Sequence, residues 1–466
     1  MNFVNHTPFP ALAFEGIDQH GQGCHAIVLR QTLTWDKQGK VTYAEQQNPL
    51  CQVDLFLGAV NASVIRQESD LCHYKPRSDI IVNAVAHAPQ GQPAPRFTVR
   101  LVMTKPGSDA PLIDKTLAVT GPRQFVCDEE YLERPAAGQE KSWRLTEPEP
   151  TRWVPVNDTF AFGGFCRINR GDAKAQAVAR QHWLAPGQLA SHPDAQLPQD
   201  QQPAAHSVFE YNPIGRGYAT DWYLDATGLT AVPAPQIEPP DMPVSAALFM
   251  DYLSNRLTGQ QAASLTAGLG VRPKAHPERR RLLGTLSDDF VNGEAWLPED
   301  FDFAIWNAAP PDQQAGHLEG GEILELTNLC HCNAPGAVID GQGDTLLRLE
   351  LPRQECFVLV RLQSGEMFAH PMAIDTVIVE PENLRVSLVW RAVLGKDEDT
   401  PIRKAEARMR SFAERDAERA EVERILRLAA DATETPSPTP ATTPGQGAGL
   451  SDDEFDAWAR EMLNHG

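Results

Sequence analysis

Apolar and polar residues alternate over long stretches of this 466-residue chain. Between His25 and Trp35, Ile27, Leu29, Leu33 and Trp35 fall on one face of an extended segment. Phe97, Val99, Leu101 and Met103 repeat the pattern. The short run Ile80, Ile81, Val82, Ala84 and Val85 lies between turn residues and suits a buried core strand. Leu384, Val386, Leu388 and Trp390 alternate with Arg385, Ser387 and Arg391, and the Asp-Gly-Gln-Gly-Asp stretch at 340–344 predicts a hairpin turn. Gly and Pro punctuate these runs at short intervals, as in a sandwich.

The pattern predicts a mainly β chain: two β-rich, sandwich-like domains with a minor helical segment between them and a helical C-terminal extension. The N-terminal β-rich domain covers 1–232. A Pro-rich stretch, 232–243, marks the boundary. The second β-rich domain covers 244–400 and has a helical start, where Leu248, Phe249, Tyr252, Leu253 and Leu257 recur at helical spacing. Residues 185–206, rich in Pro, Gln, Asp and Ala, predict a mobile loop. Residues 401–431, dense in Ala, Glu and Arg, predict a charged helix. The Pro, Thr and Gly of 432–450 predict a disordered linker.

Residues 451–466 predict a short amphipathic helix. Ser451 and Glu454 form a capping box. Phe455, Trp458, Met462 and Leu463 share one face with Ala459. Such a helix on a tether has the form of a groove-binding peptide, for a partner or for this chain's own body.

A formal net charge of −21 argues against nucleic acid or an anionic membrane as a partner. With no run of 18 apolar residues, no transmembrane helix is expected. The N-terminus lacks the basic and apolar regions of a signal peptide. The eight cysteines are scattered through a long chain, which suits reduced thiols in a cytoplasmic protein.

Candidate chemistry is sparse. No nucleophile elbow, zinc-protease helix, phosphate loop or dinucleotide loop occurs. Cys330, His331 and Cys332 bring metal-ligating types together, but no second pair completes four ligands, so a strand cysteine pair is the favoured reading. His73 beside Asp70, Tyr74 and Lys75 resembles an acid–base cluster, with a charge-tied turn favoured. Glu299, Asp300 and Asp302 resemble paired glycosidase carboxylates, with a solvated turn favoured. The basic stretch 272–281 offers Arg272, Lys274, Arg279 and Arg280 to an acidic partner or to the protein's own acidic surface, or forms a solvated loop. Trp296, Trp306 and Trp390 read as core anchors. No catalytic residue, metal site or cofactor is expected from these patterns.

Residues 66–89 contain SDL-x-x-YKP-x-x-D-I-I-V-N-A-x-A-x-A-P. DKTLAVTGPR (114–123), AFGG (161–164), NPIGRGY (212–218) and PQIEPP (235–240) follow in order. The second half carries LPEDFDFAIWNAAPPDQQ (297–314), LEGGE (318–322), IDTVIVE (374–380) and SLVWRA (387–392). Together these resemble a bacterial domain of unknown function encoded in type VI secretion clusters, beside VgrG spike and PAAR tip genes. The likeness covers residues 1 to about 395, with looser agreement at 182–207 and 244–283, and leaves the tail outside. It implies a non-enzymatic adaptor or chaperone that holds an effector, or its PAAR-bearing region, for loading onto VgrG. The alternative is a hydrolase or carbohydrate-active β-sandwich enzyme with a site assembled from distant residues.

Overall fold

A computed structural model describes residues 1–17, 21–60, 62–128, 141–178, 180–254, 256–257, 259–293, 297–397 and 399–433. The fold is mainly β and ends in a helix. One sheet runs in the order Ala11–Ile17, Gly23–Trp35, Arg385–Gly395, Ala373–Glu380, Ser78–Val82 and Gln314–Ala315, with Val41–Tyr43 paired to the side of Gly23–Trp35. A second runs Ile237–Glu238, Pro111–Thr120, Arg96–Thr104, Ile323–Thr327, Thr345–Glu350 and Ala337–Ile339. A third runs Asn2–Asn5, Ile402–Ser411, Gln354–Leu362 and Met367–Pro371.

The alternating strands behave as their patterns require. Phe97, Val99, Leu101 and Met103 are buried, while Arg96, Thr98 and Arg100 face out. The turn at 340–344 joins the antiparallel strands Ala337–Ile339 and Thr345–Glu350. Ser78–Val82 is buried along its whole length and lies parallel to Ala373–Glu380, with Ile80 opposite Val377. A strand covered on both faces reads as a continuous apolar run, which explains its sequence. Ile27 and Leu29, Val99 and Leu101, and Val358 and Val360 contribute three sheets to one apolar core.

The boundary expected between 232 and 244 does not separate two sets of sheets. Gly23–Trp35 pairs with Arg385–Gly395, and Arg96–Thr104 pairs with Ile323–Thr327. Strands of both halves therefore share sheets and a core, and the Pro-rich stretch is a connection within them. The helical segment after it is present as Ala246–Leu253 and Gly259–Ser264.

Two local expectations are corrected. Residues 402–411 form a strand, and the helix begins only at Phe412, running Phe412–Thr433. Ala405, Glu406 and Ala407 are buried between two neighbouring strands, so tertiary pairing overrides the helical preference of Ala, Arg and Glu. Ala407→Leu should overpack this contact and cost about 1–3 kcal/mol in a denaturant titration. The expected mobile loop at 185–206 holds the short helix Pro186–Ala190, and Pro203–Val208 pairs with Phe165–Asn169. The helix runs through the first two residues of the linker expected at 432–450; the rest of that linker, and Phe455, Trp458, Met462 and Leu463, lie outside the described residues, as does Trp296.

Candidate functional site

The residues around the 66–89 segment are tied together by buried charge. Arg30 donates to both carboxylate oxygens of Asp70, at 2.9 and 3.3 Å, and Gln67 bonds to both partners. The Cys51 amide also donates to Asp70, at 2.7 Å. Lys75 Nζ donates to Asp79 and Thr376, each at 2.8 Å. Asp79 accepts further bonds from Asn307 Nδ2 and from the amides of Ala308 and Ala309. Burial alone pushes the Lys75 ammonium down, but Asp79 and Asp375 outweigh it and hold its pKa above the usual lysine range.

Arg391 joins the other end of this layer. It donates to Asp375, to the Cys72 carbonyl at 2.6 Å and to the Asp70 carbonyl at 2.9 Å. The proposed acid–base cluster therefore does not converge on one point. Asp70 faces Arg30, Lys75 faces Asp79, and the His73 ring packs near Phe14, with ring centroids 6.0 Å apart. Tyr74 meets Phe303 and His317 edge-on. These side chains fix a turn and a strand in place.

The basic stretch is mostly turned inward. Arg279 is buried, donates to both Glu68 oxygens at 2.8 and 2.9 Å and reaches the Ile305 carbonyl. Arg272 pairs with Glu278 at 2.5 Å, and Lys274 with Asp54 at 3.2 Å. Lys274 also sits 5.6 Å above the Trp306 ring. Three of the four candidate cations thus bind the protein's own acids, and Arg280 alone of the four is exposed. Of the alternatives for this stretch, the protein's own acidic surface is the one these three pairs realise, with Arg279 buried and Arg272 and Lys274 partly exposed.

The remaining sequence candidates also serve local structure. Asp300 accepts from the Thr285 amide and hydroxyl, at 2.7 and 2.8 Å, and Asp302 caps the turn Phe303–Trp306 through the Ala304 amide. Cys330 is buried in the main core and its thiol is pushed up to about 12 by burial, while Cys332 is partly exposed. The pair lies in a bend after Ile323–Thr327, so its two thiols do not share a strand face. Among the described residues, no three His, Cys, Asp or Glu side chains are placed to hold a metal ion. No described helix is long and apolar enough to cross a membrane.

A different group of residues forms a polar crevice. Asp158, Tyr211, Thr266, Gly268, Gly270, Arg272, His276 and Pro310 line it, with a cavity of about 10 Å³. That is room for one water-sized group. His276 is 2% exposed and its ring meets Tyr211 edge-on at 5.3 Å. Its Nδ1 accepts from the Glu278 amide at 3.3 Å, which leaves the proton on Nε2. Nε2 has no hydrogen-bond partner among the described residues. Burial, then Arg272 and Arg279, lower the ring to about 3, so it is a neutral donor at pH 7.

Asp158 begins the turn Asp158–Phe160, whose cap is Asn157. Its carboxylate rests over Gly268, where a Cβ would collide with Oδ1. Burial raises the carboxyl to about 6 against the opposing pull of Arg272 and Lys115. The folded state therefore holds this proton more tightly than the unfolded chain does. Its contribution to stability is present below the usual value of 3.8 and is lost as pH rises through about 6. Asp158→Ala is accordingly expected to melt higher than the parent at pH 7 and at the same temperature near pH 4. Thermal melts at the two pH values check this. No sequence spacing reveals the crevice, because its walls come from four separate segments.

No curated protein and no solved structure matches the chain. A family model does match, over residues 20–391, which carry most of the two largest sheets and the crevice. The chain belongs to the bacterial family described as "Uncharacterized protein conserved in bacteria (DUF2169)".

Proposed function

We propose that this protein is a cytoplasmic adaptor of a type VI secretion system, which binds an effector or its PAAR-bearing region and assists its loading onto VgrG. The resemblance of the ordered motifs between residues 66 and 392 supports this reading, and the family match covers the same body. The observation that carries it is the form of the sheet borders. Two sheets end in outer strands with exposed apolar side chains: Val338 and Ile339 on Ala337–Ile339, and Phe368 on Met367–Pro371. An open strand edge with apolar side chains is a template for pairing with another chain. Such edges suit a protein that shields an unstable segment of its cargo.

The crevice favours a second reading. A carboxyl raised to about 6 beside a neutral histidine and an arginine is a pattern found in acid–base sites, and a hydrolase would use it so. Its cavity of about 10 Å³ is far below the few hundred Å³ of an ordinary substrate site, and we keep the hydrolase as the second reading.

Co-expression with the effector encoded beside the gene tests the proposal. The two proteins should co-elute, and the effector should remain soluble longer than when expressed alone. Separate elution with no gain in effector solubility or delivery would refute the adaptor role.

A further inference from the structure

The segment after Cys51 turns its apolar side chains outward. Val53, Leu55 and Leu57 alternate with the half-buried Asp54 and Phe56, and Val60 follows near the tip. These four are between 42% and 70% exposed. Alternate residues of an extended segment share a face, so Val53, Leu55 and Leu57 form one apolar row. Among the described residues the strand Leu55–Phe56 pairs with Ile65–Gln67 alone, and the Leu57 amide donates to the Val64 carbonyl at 2.9 Å. The row therefore sits on a two-stranded hairpin with an open edge. Single exposed apolar residues are ordinary, whereas a row of them on an open hairpin marks a contact surface.

The charge beside the row is positive. Asp54 accepts from the Ser69 amide and from Lys274, and Glu68 pairs with Lys274 and Arg279. These bonds hold the hairpin against the basic stretch. The outer side of that stretch presents Arg280, Arg281 and Leu283 to solvent. An apolar row flanked by two exposed arginines selects an occupant that is both apolar and acidic.

The chain itself carries such a segment. In 451–466, Phe455, Trp458, Met462 and Leu463 recur at helical spacing, and Asp452, Asp453, Glu454, Asp456 and Glu461 outnumber Arg460. Residues 434–450 join it to the helix ending at Thr433. That connection spans up to about 60 Å when extended. A folded chain of this length has a radius of gyration of about 23 Å, so the tether reaches the hairpin. Tethering also makes the contact intramolecular, with an effective concentration in the mM range.

We propose that residues 451–466 dock on this chain's own hairpin. Phe455, Trp458, Met462 and Leu463 cover Val53, Leu55 and Leu57, and the acids of 452–456 face Arg280 and Arg281. The docking is independent of the adaptor reading, which concerns the borders of the larger sheets.

Hydrogen–deuterium exchange of the full chain at low micromolar concentration tests it. The amides of 455–463 should exchange at least about tenfold more slowly than in a synthetic peptide of residues 451–466, at a rate independent of protein concentration. Leu55→Ser with Leu57→Ser, and separately Arg280→Glu with Arg281→Glu, should each return them to the peptide rate while the protein still melts cooperatively. All four positions are exposed, so these changes leave the core intact. Peptide-like exchange in the parent protein, or protection that survives either double variant, overturns the docking. Protection that rises with protein concentration places the segment on a second copy and overturns it as well.

Discussion

Arg391→Ala is expected to lower folding stability by about 3–5 kcal/mol, in the range for breaking a buried ion pair from one side. Arg391 is buried in the strand Arg385–Gly395 and donates to Asp375 and to the Cys72 and Asp70 carbonyls. Truncation leaves the Asp375 carboxylate buried without its guanidinium. It also removes the donor that clamps the 70–72 turn onto the sheet. Asp375 keeps one hydrogen bond, from the Thr376 hydroxyl at 2.8 Å, and the charge of Lys75 nearby, but no cation donates to it. Urea titration should show an early midpoint with an unchanged slope. A loss below about 1 kcal/mol, the value of an exposed ion pair, would mean the pair is solvated.

Asp79→Ala is expected to be of similar size, about 3–5 kcal/mol, for the complementary reason. Here the cation loses its hydrogen-bonded partner: Lys75 keeps the Thr376 hydroxyl and the field of Asp375 but loses its nearest carboxylate. Two amides, at Ala308 and Ala309, and the Asn307 side chain lose their acceptor as well. Adding Lys75→Met removes the stranded charge. The double variant should therefore recover part of the loss, but not the part due to the two amides. The recovered fraction in a double-mutant cycle measures how much of the effect is charge. Full recovery would show that the backbone bonds to Asp79 contribute nothing.

Both variants explain how the sequence was readable here and where it was not. The apolar run Ile80–Val82 marks a buried strand from sequence alone, and the strand lies there. Its polar neighbours are ambiguous, because a turn rich in Asp, His and Lys looks the same whether it titrates with substrate or bonds to strands 300 residues away. Thr376 and Arg391 decide the matter, and nothing local points to them. The same limit applies at 402–411, where Ala, Arg and Glu favour a helix until Asn2–Asn5 and Gln354–Leu362 are brought alongside. Arg279 reads as a surface charge because its partner, Glu68, is remote in sequence. The crevice is the extreme case: Asp158, Tyr211 and His276 carry no shared motif and meet only in the fold.

The buried charge layer and the crevice make different demands. In the layer each carboxylate faces a cation or an amide. The crevice differs: it holds a carboxyl raised to about 6 and a histidine nitrogen with no partner among the described residues.

The adaptor reading is tested most directly by calorimetric titration of the purified full chain with the purified effector, or its PAAR-bearing region, encoded beside it. The account predicts saturable binding with a defined stoichiometry and a negative heat-capacity change, as expected when apolar sheet borders are covered. The absence of any binding heat across several temperatures, with both proteins folded, would contradict it.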